Sequence, residues 1–527
     1  MESYDDLIIK SSVRFRSSYP LVVPISVIVA VLCLCILIGH LVKKSRWLNE
    51  STVTVLIGCA IGTIILFWSK GTNSHILRFN EELFFIYLLP PIIFNAGFKV
   101  KKKQFFRNFS TIVLFGVFGC FLSSGIIAAG SWLLLPLVGF TGLKTREYFA
   151  LGAIFSSTDT VSTLQVLNAN ETPLLYSLVF GEGVVNDATS VVLLKAIQRP
   201  DISIADFKSV AQIFADFFYL FSMSTVLGVF VGLLTAYALK KIYFAEHSTD
   251  REIALLVLMS YLSYMLAELL NLSGILTVFL CGIIMSHYAY HNVSDHSKVT
   301  ARHASATMSF IAETFIFLYL GMDVLDIEKW NQSNSSFGTS LGIQIAIILL
   351  ICLGRAAFVF PISALTNYMN KNYERTHITF KSQIIIWWAG LMRGAVTIAL
   401  AFNQFTYKGE AGDFVHATLM KDTLIIVLFT TVVLGSITKP LVRLLVPHHE
   451  LNNESQQNTY IEELNLPLIS LKDSTSTNML RAKNSLTMLI KRPIYTIHDF
   501  WRRFDDTYMR PVFGGPPLSG NSLIILS

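Results

Sequence analysis

The sequence predicts an all-α polytopic membrane protein, with about 13 transmembrane helices of the usual ~20-residue length arranged as two inverted repeats. Three observations predict it. The chain of 527 residues is 53% hydrophobic and only 14% charged, with a mean hydropathy of +0.55, whereas soluble domains carry about 25% charged residues. Apolar runs long enough to cross a bilayer follow one another from Leu21 to residue 446. Two of them, each fifth in its half when the seventh is counted as a linker, are interrupted by polar residues of opposite charge. Matched broken helices are the best sequence pointer to an inverted-repeat transporter.

The spans are expected at 21–42, 51–68, 82–98, 111–138, 147–167, 173–197, 210–239, 252–271, 274–290, 303–325, 340–366, 380–405 and 421–446. The first is followed by further spans and not by a cleavage site, which makes it a membrane helix and not a removed signal. Short loops rich in Lys and Arg face the cytosol. Lys99, Lys101, Lys102, Lys103 and Arg107 form the densest such loop, with Lys43, Lys44, Arg46, Lys240, Lys241, Arg251, Lys371 and Arg375 on the same side. Residues 1–20 are then a lumenal N-terminus, 21–446 the membrane domain and 447–527 a short cytosolic tail. The lumenal loop 331–336 offers Asn331 and Asn334 as glycosylation candidates. In the tail, 485–504 alternates apolar residues with Lys491, Arg492, Arg502 and Arg503. Such a basic amphipathic stretch suits anionic lipid, a regulatory protein, or the protein's own cytosolic face.

The net charge of +6 sits mostly in loops and tail, which fits membrane lipids and not nucleic acid. All six cysteines fall in apolar segments without metal or disulfide spacing. No cofactor is expected. No Gly-x4-Gly-Lys-Ser/Thr loop is present, so the chain does not read as a nucleotide-hydrolysing enzyme.

The chemistry concentrates in four spans. In the sixth, Glu182, Asn186 and Asp187 lie within two helical turns of an apolar helix. A carboxylate at that depth costs several kcal/mol unless it faces a cavity or a partner, which makes it a functional-site hypothesis. In the fifth, Ser156, Ser157, Thr158, Asp159 and Thr160 follow one another, hydroxyls suited to carbonyls freed where a helix unwinds. Asp159 there compensates positive half-helix N-termini. In the twelfth, Arg393 lies between Gly390 and Gly394 and compensates negative helix ends. Arg355, in the eleventh, cannot lose its proton and needs a buried acid; Glu182 and Asp159 both qualify. Glu268 and Glu313 are deep enough either to line a cavity or to make structural hydrogen bonds. Pro90 and Pro91 bend the third span, with Asn95 beside the bend.

At these residues the chain resembles the monovalent cation:proton antiporter-1 family. Phe84–Phe98 resembles the third-span motif associated with amiloride sensitivity, and Glu182–Asp187 the family's ion-site motif. Both, with Lys99–Lys103 and the tail segment Trp501–Gly515, resemble the plant vacuolar exchangers. The resemblance implies the sodium/proton antiporter fold with crossed broken helices, and a homodimer with a dimerisation subdomain and a moving core. It places Na+ or K+, with Li+ as a further candidate, and the proton at Asp187, helped by Asn186 and Thr158. It implies a Glu182–Arg355 pair and an Asp159–Arg393 pairing. Phe84, Phe85, Leu88, Glu268 and Glu313 are then the expected inhibitor and cavity lining. An Asn before the key carboxylate goes with electroneutral exchange, and the short tail with a vacuolar or related endosomal membrane and a role in pH and salt homeostasis.

Two other classes compete. A cation channel lined by acids would need a repeated carbonyl filter, which is not seen. An intramembrane aspartyl protease using Asp159 and Asp187 would carry Gly-x-Gly-Asp at one of them, and neither does.

Overall fold

The computed structural model describes residues 22–42, 49–68, 84–100, 105–106, 108–159, 164, 167, 172–198, 207–242, 249–323, 336–369, 378–407, 410–411, 414–445 and 504–514. The expected lumenal N-terminus, Asn331, Asn334 and the basic stretch 485–503 lie outside the described residues.

Each expected span holds a helix. In chain order these are α1 (Val22–Val42), α2 (Glu50–Trp68), α3 (Leu89–Lys99), α4 (Phe109–Val113), α5 (Gly119–Leu137), α6 (Thr145–Ser156), α7 (Pro173–Gln198), α8 (Phe207–Ile242), α9 (Thr249–Leu269), α10 (Gly274–Ile284), α11 (Asp295–Asp323), α12 (Phe337–Met369), α13 (Phe380–Ala389), α14 (Ala395–Phe405), α15 (Phe414–Phe429) and α16 (Gly435–Leu445). Among the described residues, nine helical stretches are long and apolar enough to cross a membrane. The only strands among them, β1 (Thr406–Tyr407) and β2 (Glu410–Ala411), form a small antiparallel pair between α14 and α15.

Three boundaries differ from expectation, the first being the end of α6 at Ser156 and not at 167. α11 begins at Asp295, eight positions before the apolar run, where Ser294 Oγ caps the helix by accepting from the Ser297 amide at 3.3 Å. α15 begins at Phe414 and not at 421. Lys421 and Asp422, the first two residues of the expected span, are both buried and partnered: Lys421 Nζ donates to Ser340 Oγ at 2.9 Å, and Gln344 Nε2 donates to Asp422 Oδ1 at 2.9 Å. The helix runs through them.

The paired prolines sit at the start of α3 but within continuous helical backbone, and the Ile86 carbonyl that the missing Pro90 N–H leaves unmet accepts from Tyr261 Oη at 2.7 Å. A π-helical turn, Phe84–Leu88, leads into them. A second π turn, Leu114–Phe118, joins α4 to α5.

The helices pack as two groups. α1, α2, α3, α9, α10 and α11 pack on one another, and α5, α6, α7, α12, α13, α14 and α15 form the other set. α8 leans mainly on α9 and α10 and also touches α7. Glycine permits the tightest crossings, as is usual where small residues let membrane helices meet. A Cβ on Gly58 of α2 would lie 2.4 Å from the Leu318 carbonyl, and one on Gly321 of α11 would lie 2.3 Å from the Val55 carbonyl. Gly321→Val is therefore expected to cost about 1–3 kcal/mol or more by overpacking. Thermal unfolding of the purified variant in detergent measures this; an unchanged midpoint would mean that α2 and α11 part freely.

One piece of the tail is held against the membrane domain. Phe504, the π turn Asp505–Met509 and α17 (Arg510–Phe513) lie at the ends of α8 and α10. Asp505 is buried, accepts from Tyr288 Oη, and lies 3.0 Å from Arg510 Nε and 3.4 Å from His287 Nε2. Lys240 Nζ donates to the Pro511 carbonyl at 2.5 Å. Asn292 Nδ2 bridges the carbonyls of Ala236 (2.9 Å) and Phe513 (2.7 Å).

Candidate ion-binding site

The first break lies where the hydroxyls cluster. α6 stops at Ser156 and Ser157 is extended. The last carbonyls of the helix are not orphaned: Ser156 Oγ donates to Ala153 O at 2.7 Å and Ser157 Oγ to Ile154 O at 2.8 Å. The second break, 390–394, separates α13 from α14. The two breaks touch, with Asp159 N–H donating to Met392 O at 2.9 Å and Ser157 Oγ lying 2.8 Å from Thr397 Oγ1.

Asp159 and Arg393 each meet a helix end, but they do so separately. The Asp159 carboxylate packs on Gly394, where a Cβ would lie 3.2 Å from Oδ2, and so sits at the N-terminus of α14. Arg393 is fully buried and its Nη1 donates to the carbonyls of Gly390 (2.5 Å) and Met392 (3.1 Å), at the C-terminus of α13. The expected Asp159–Arg393 side-chain pairing is thus replaced by a shared backbone group. The Met392 carbonyl accepts from the Asp159 amide and the Arg393 guanidinium together, because each charge is drawn to the helix dipole nearest it.

Arg355 chooses Glu182. The two form a buried ion pair, and Arg355 Nη2 also donates to Ile386 O at 3.0 Å. Its guanidinium stacks over Phe358, 4.9 Å from the ring centroid. Gly390 makes room for it, since a Cβ there would fall 1.9 Å from the guanidinium.

Asn186 and Asp187 read the first break from α7. Asn186 Nδ2 donates to Ser156 O (2.8 Å) and Thr158 Oγ1 (3.2 Å), and the Thr158 amide donates to Asp187 Oδ1 at 3.1 Å. Asn186 is buried with its Oδ1 unpartnered. Among the described residues no Lys, Arg or His side chain lies within ion-pair distance of Asp187. It lines a cavity of about 400 Å³ between the two helix groups, with Thr158, Asp159, Phe84 and Glu313. The oxygens of Asp187, Thr158, Asp159 and Glu313 in such a space suit a hard cation or a proton and not a soft metal.

The remaining expected lining divides. Phe84 and Glu313 face the cavity; Phe85 and Leu88 do not, because successive helical positions point in different directions. Glu268 lies elsewhere, held by Lys195 Nζ at 2.9 Å and by the Gly274 amide at 3.2 Å. Among the lining residues that sequence reasoning missed, three are polar groups close to the expected ones. Asn95, read as a patch for the proline bend, presents an unpartnered Oδ1. Ser309 donates to Glu313 Oε1 at 2.7 Å, a contact that the four-residue spacing could have revealed. Lys99 was read only as a loop charge, yet it lines the same cavity.

Residues 27–444 match the family described as sodium/hydrogen exchanger, transmembrane. The chain belongs to the sodium/hydrogen exchanger family. This is the monovalent cation:proton antiporter family that the motifs resemble, and the exchanger is an antiporter of Na+ and protons. It is 59% identical over 510 residues to sodium/hydrogen exchanger 4 of Arabidopsis thaliana, covering 95% of this chain and 96% of that protein. It is 54% identical over 501 residues to sodium/hydrogen exchanger 1 of Oryza sativa subsp. japonica, covering 95% and 94%. Among solved structures, the exchanger matches the sodium proton antiporter MjNhaP1 of Methanocaldococcus jannaschii with a TM-score of 0.55. That match has 17% identity, covers 81% of this chain and all of that one, and so speaks for the fold.

Proposed function

We propose that the exchanger is an electroneutral secondary antiporter. It moves cytosolic Na+ or K+, and Li+ as a congener, into the lumen of a vacuole or related endosomal compartment in return for protons. Asp187 carries either the proton or the cation, with Asn186 Oδ1 and Thr158 as neutral helpers, and access alternates between the two sides. The group of helices with α7 is the moving core; the group with α2 and α11 is the scaffold through which two copies form a homodimer. The tail, 447–527, is cytosolic and binds lipid or a regulatory protein.

One observation carries this reading. Glu182, Arg355 and Arg393 are buried and bound to partners, whereas Asp187 ends a cavity with one backbone donor and, among the described residues, no ion-pair partner. A carboxylate so placed has acceptor capacity left for a dehydrated cation. Asn beside it, and not a second Asp, leaves one charge to be neutralised per crossing. The acidic lumen supplies the protons that drive cation uptake.

Ion-jump measurements on proteoliposomes test it. Na+ or K+ added to acid-loaded vesicles is expected to drive proton efflux, at a rate that clamping the membrane potential with valinomycin and balanced K+ leaves unchanged. A rate that follows the imposed potential would overturn one-for-one exchange, and a response to Na+ alone would remove K+ as a substrate.

A further inference from the structure

Glu268 sits on the far side of Asp187 from the cavity. Val184, Asp187, Val191 and Lys195 follow at spacings of three and four, so they form one stripe of α7. The cavity reaches this stripe from Asp187 back through Val184, Phe180 and Ser177 toward the start of the helix. In the other direction the helix is enclosed, with Val191 only 5% exposed. Lys195, about 12 Å past Asp187 at 1.5 Å per residue, crosses to the other helix group. Its Nζ lies 2.9 and 3.1 Å from the two Glu268 oxygens and 2.9 Å from the Leu272 carbonyl. These partners belong to the last turn of α9 and the link to α10, and Glu268 is fixed there by the Gly274 amide.

We propose that Lys195 and Glu268 form a latch that holds shut the side of Asp187 opposite the cavity. Asp187 is exposed on that side only after the pair separates. The inference rests on the alternating-access reading above. Any path to Asp187 from the C-terminal end of α7 must part α7 from the α9–α10 link, and Lys195 spans that seam. Neither residue touches the transported ion; both are positioning residues that set which side is open. The pair is one-third exposed on the lysine and two-fifths on the glutamate, so its loss shifts the balance of open states about two- to five-fold, the scale of partly exposed pairs.

Single cysteines placed at Val184 and Val191, on a background without native cysteines, report the two sides. They are labelled with a membrane-impermeant maleimide from each face of oriented proteoliposomes. Lys195→Met is expected to raise labelling of Val191→Cys two- to five-fold and to lower that of Val184→Cys. Glu268→Gln does the same and serves if Lys195→Met fails to fold. Lys195→Arg, which keeps the charge and the donors that meet Glu268 and the Leu272 carbonyl, keeps the parent ratio. A purely structural contact would lower thermal stability without moving that ratio. If Na+ still alternates labelling in the parent but neither Lys195→Met nor Glu268→Gln moves the ratio, or Lys195→Arg moves it as Lys195→Met does, the latch is wrong and alternating access stands. If both cysteines label at once regardless of ion, alternating access fails, and the latch with it.

Discussion

Asp187→Asn is expected to bring cation-driven proton flux in proteoliposomes down to that of protein-free vesicles. The amide keeps the size of the carboxylate, and its oxygen still accepts the Thr158 amide that Asp187 Oδ1 now takes at 3.1 Å. The variant should therefore elute from a sizing column like the parent. What it loses is the charge that a proton or a cation neutralises. Because Asp187 is not part of an ion pair among the described residues, its replacement strands no buried cation, so loss of transport is not loss of fold. Flux that persisted in a well-folded Asp187→Asn protein would move the ion site elsewhere in the cavity, to Glu313 or Asp159.

Arg355→Met should have the opposite character, with a large effect on stability. Arg355 and Glu182 are both almost wholly buried, 2% and 3% exposed. Removing one partner leaves the other charge uncompensated in low dielectric, a cost of about 3–5 kcal/mol. Removing both, as Arg355→Met with Glu182→Gln, is expected to recover most of it, since a buried pair is often no better than a neutral replacement of similar volume. Thermal unfolding of the three proteins, read by tryptophan fluorescence or a thiol-reactive dye, measures the cycle. A double variant as unstable as the single would show that Arg355 is held mainly by Ile386 O and the Phe358 ring, and not by Glu182.

Much of this was legible in the chain because the bilayer imposes simple rules on sequence. α1, α8 and α12 declare themselves by apolar length alone. The break after Ser156 is legible because hydroxyls gather where carbonyls need donors, and the Asn186–Asp187 pair because polarity inside a span is costly. The misreadings share a different cause. Glu268 looked like a cavity residue since depth was inferred from its own span; its partner, Lys195, is 73 positions away on α7, and no local pattern encodes that meeting. A side-chain pairing of Asp159 with Arg393 was implied by the family resemblance alone, whereas the residues themselves pointed each charge to a helix end. Backbone carbonyls at the end of α13 compete for Arg393 and win, being nearer and unable to move. The span expected from 421 begins instead at Phe414, because Ser340 and Gln344 on α12 give Lys421 and Asp422 interior partners. Phe85 and Leu88 failed on rotation, which a π turn makes hard to read from a helical wheel.

The docked segment 504–514 gives the tail a second point of attachment. The chain leaves the membrane domain after Leu445 and is fastened to it again at Asp505, so residues 446–503 close a loop whose two ends both belong to the membrane domain. A protein that grips a free tail pulls on nothing. One that grips this loop shortens a tether whose far end is tied by Lys240 and Asn292 to α8, the helix that touches both groups. A pull on the segment 504–514 therefore bears on α8 and, through it, on both helix groups.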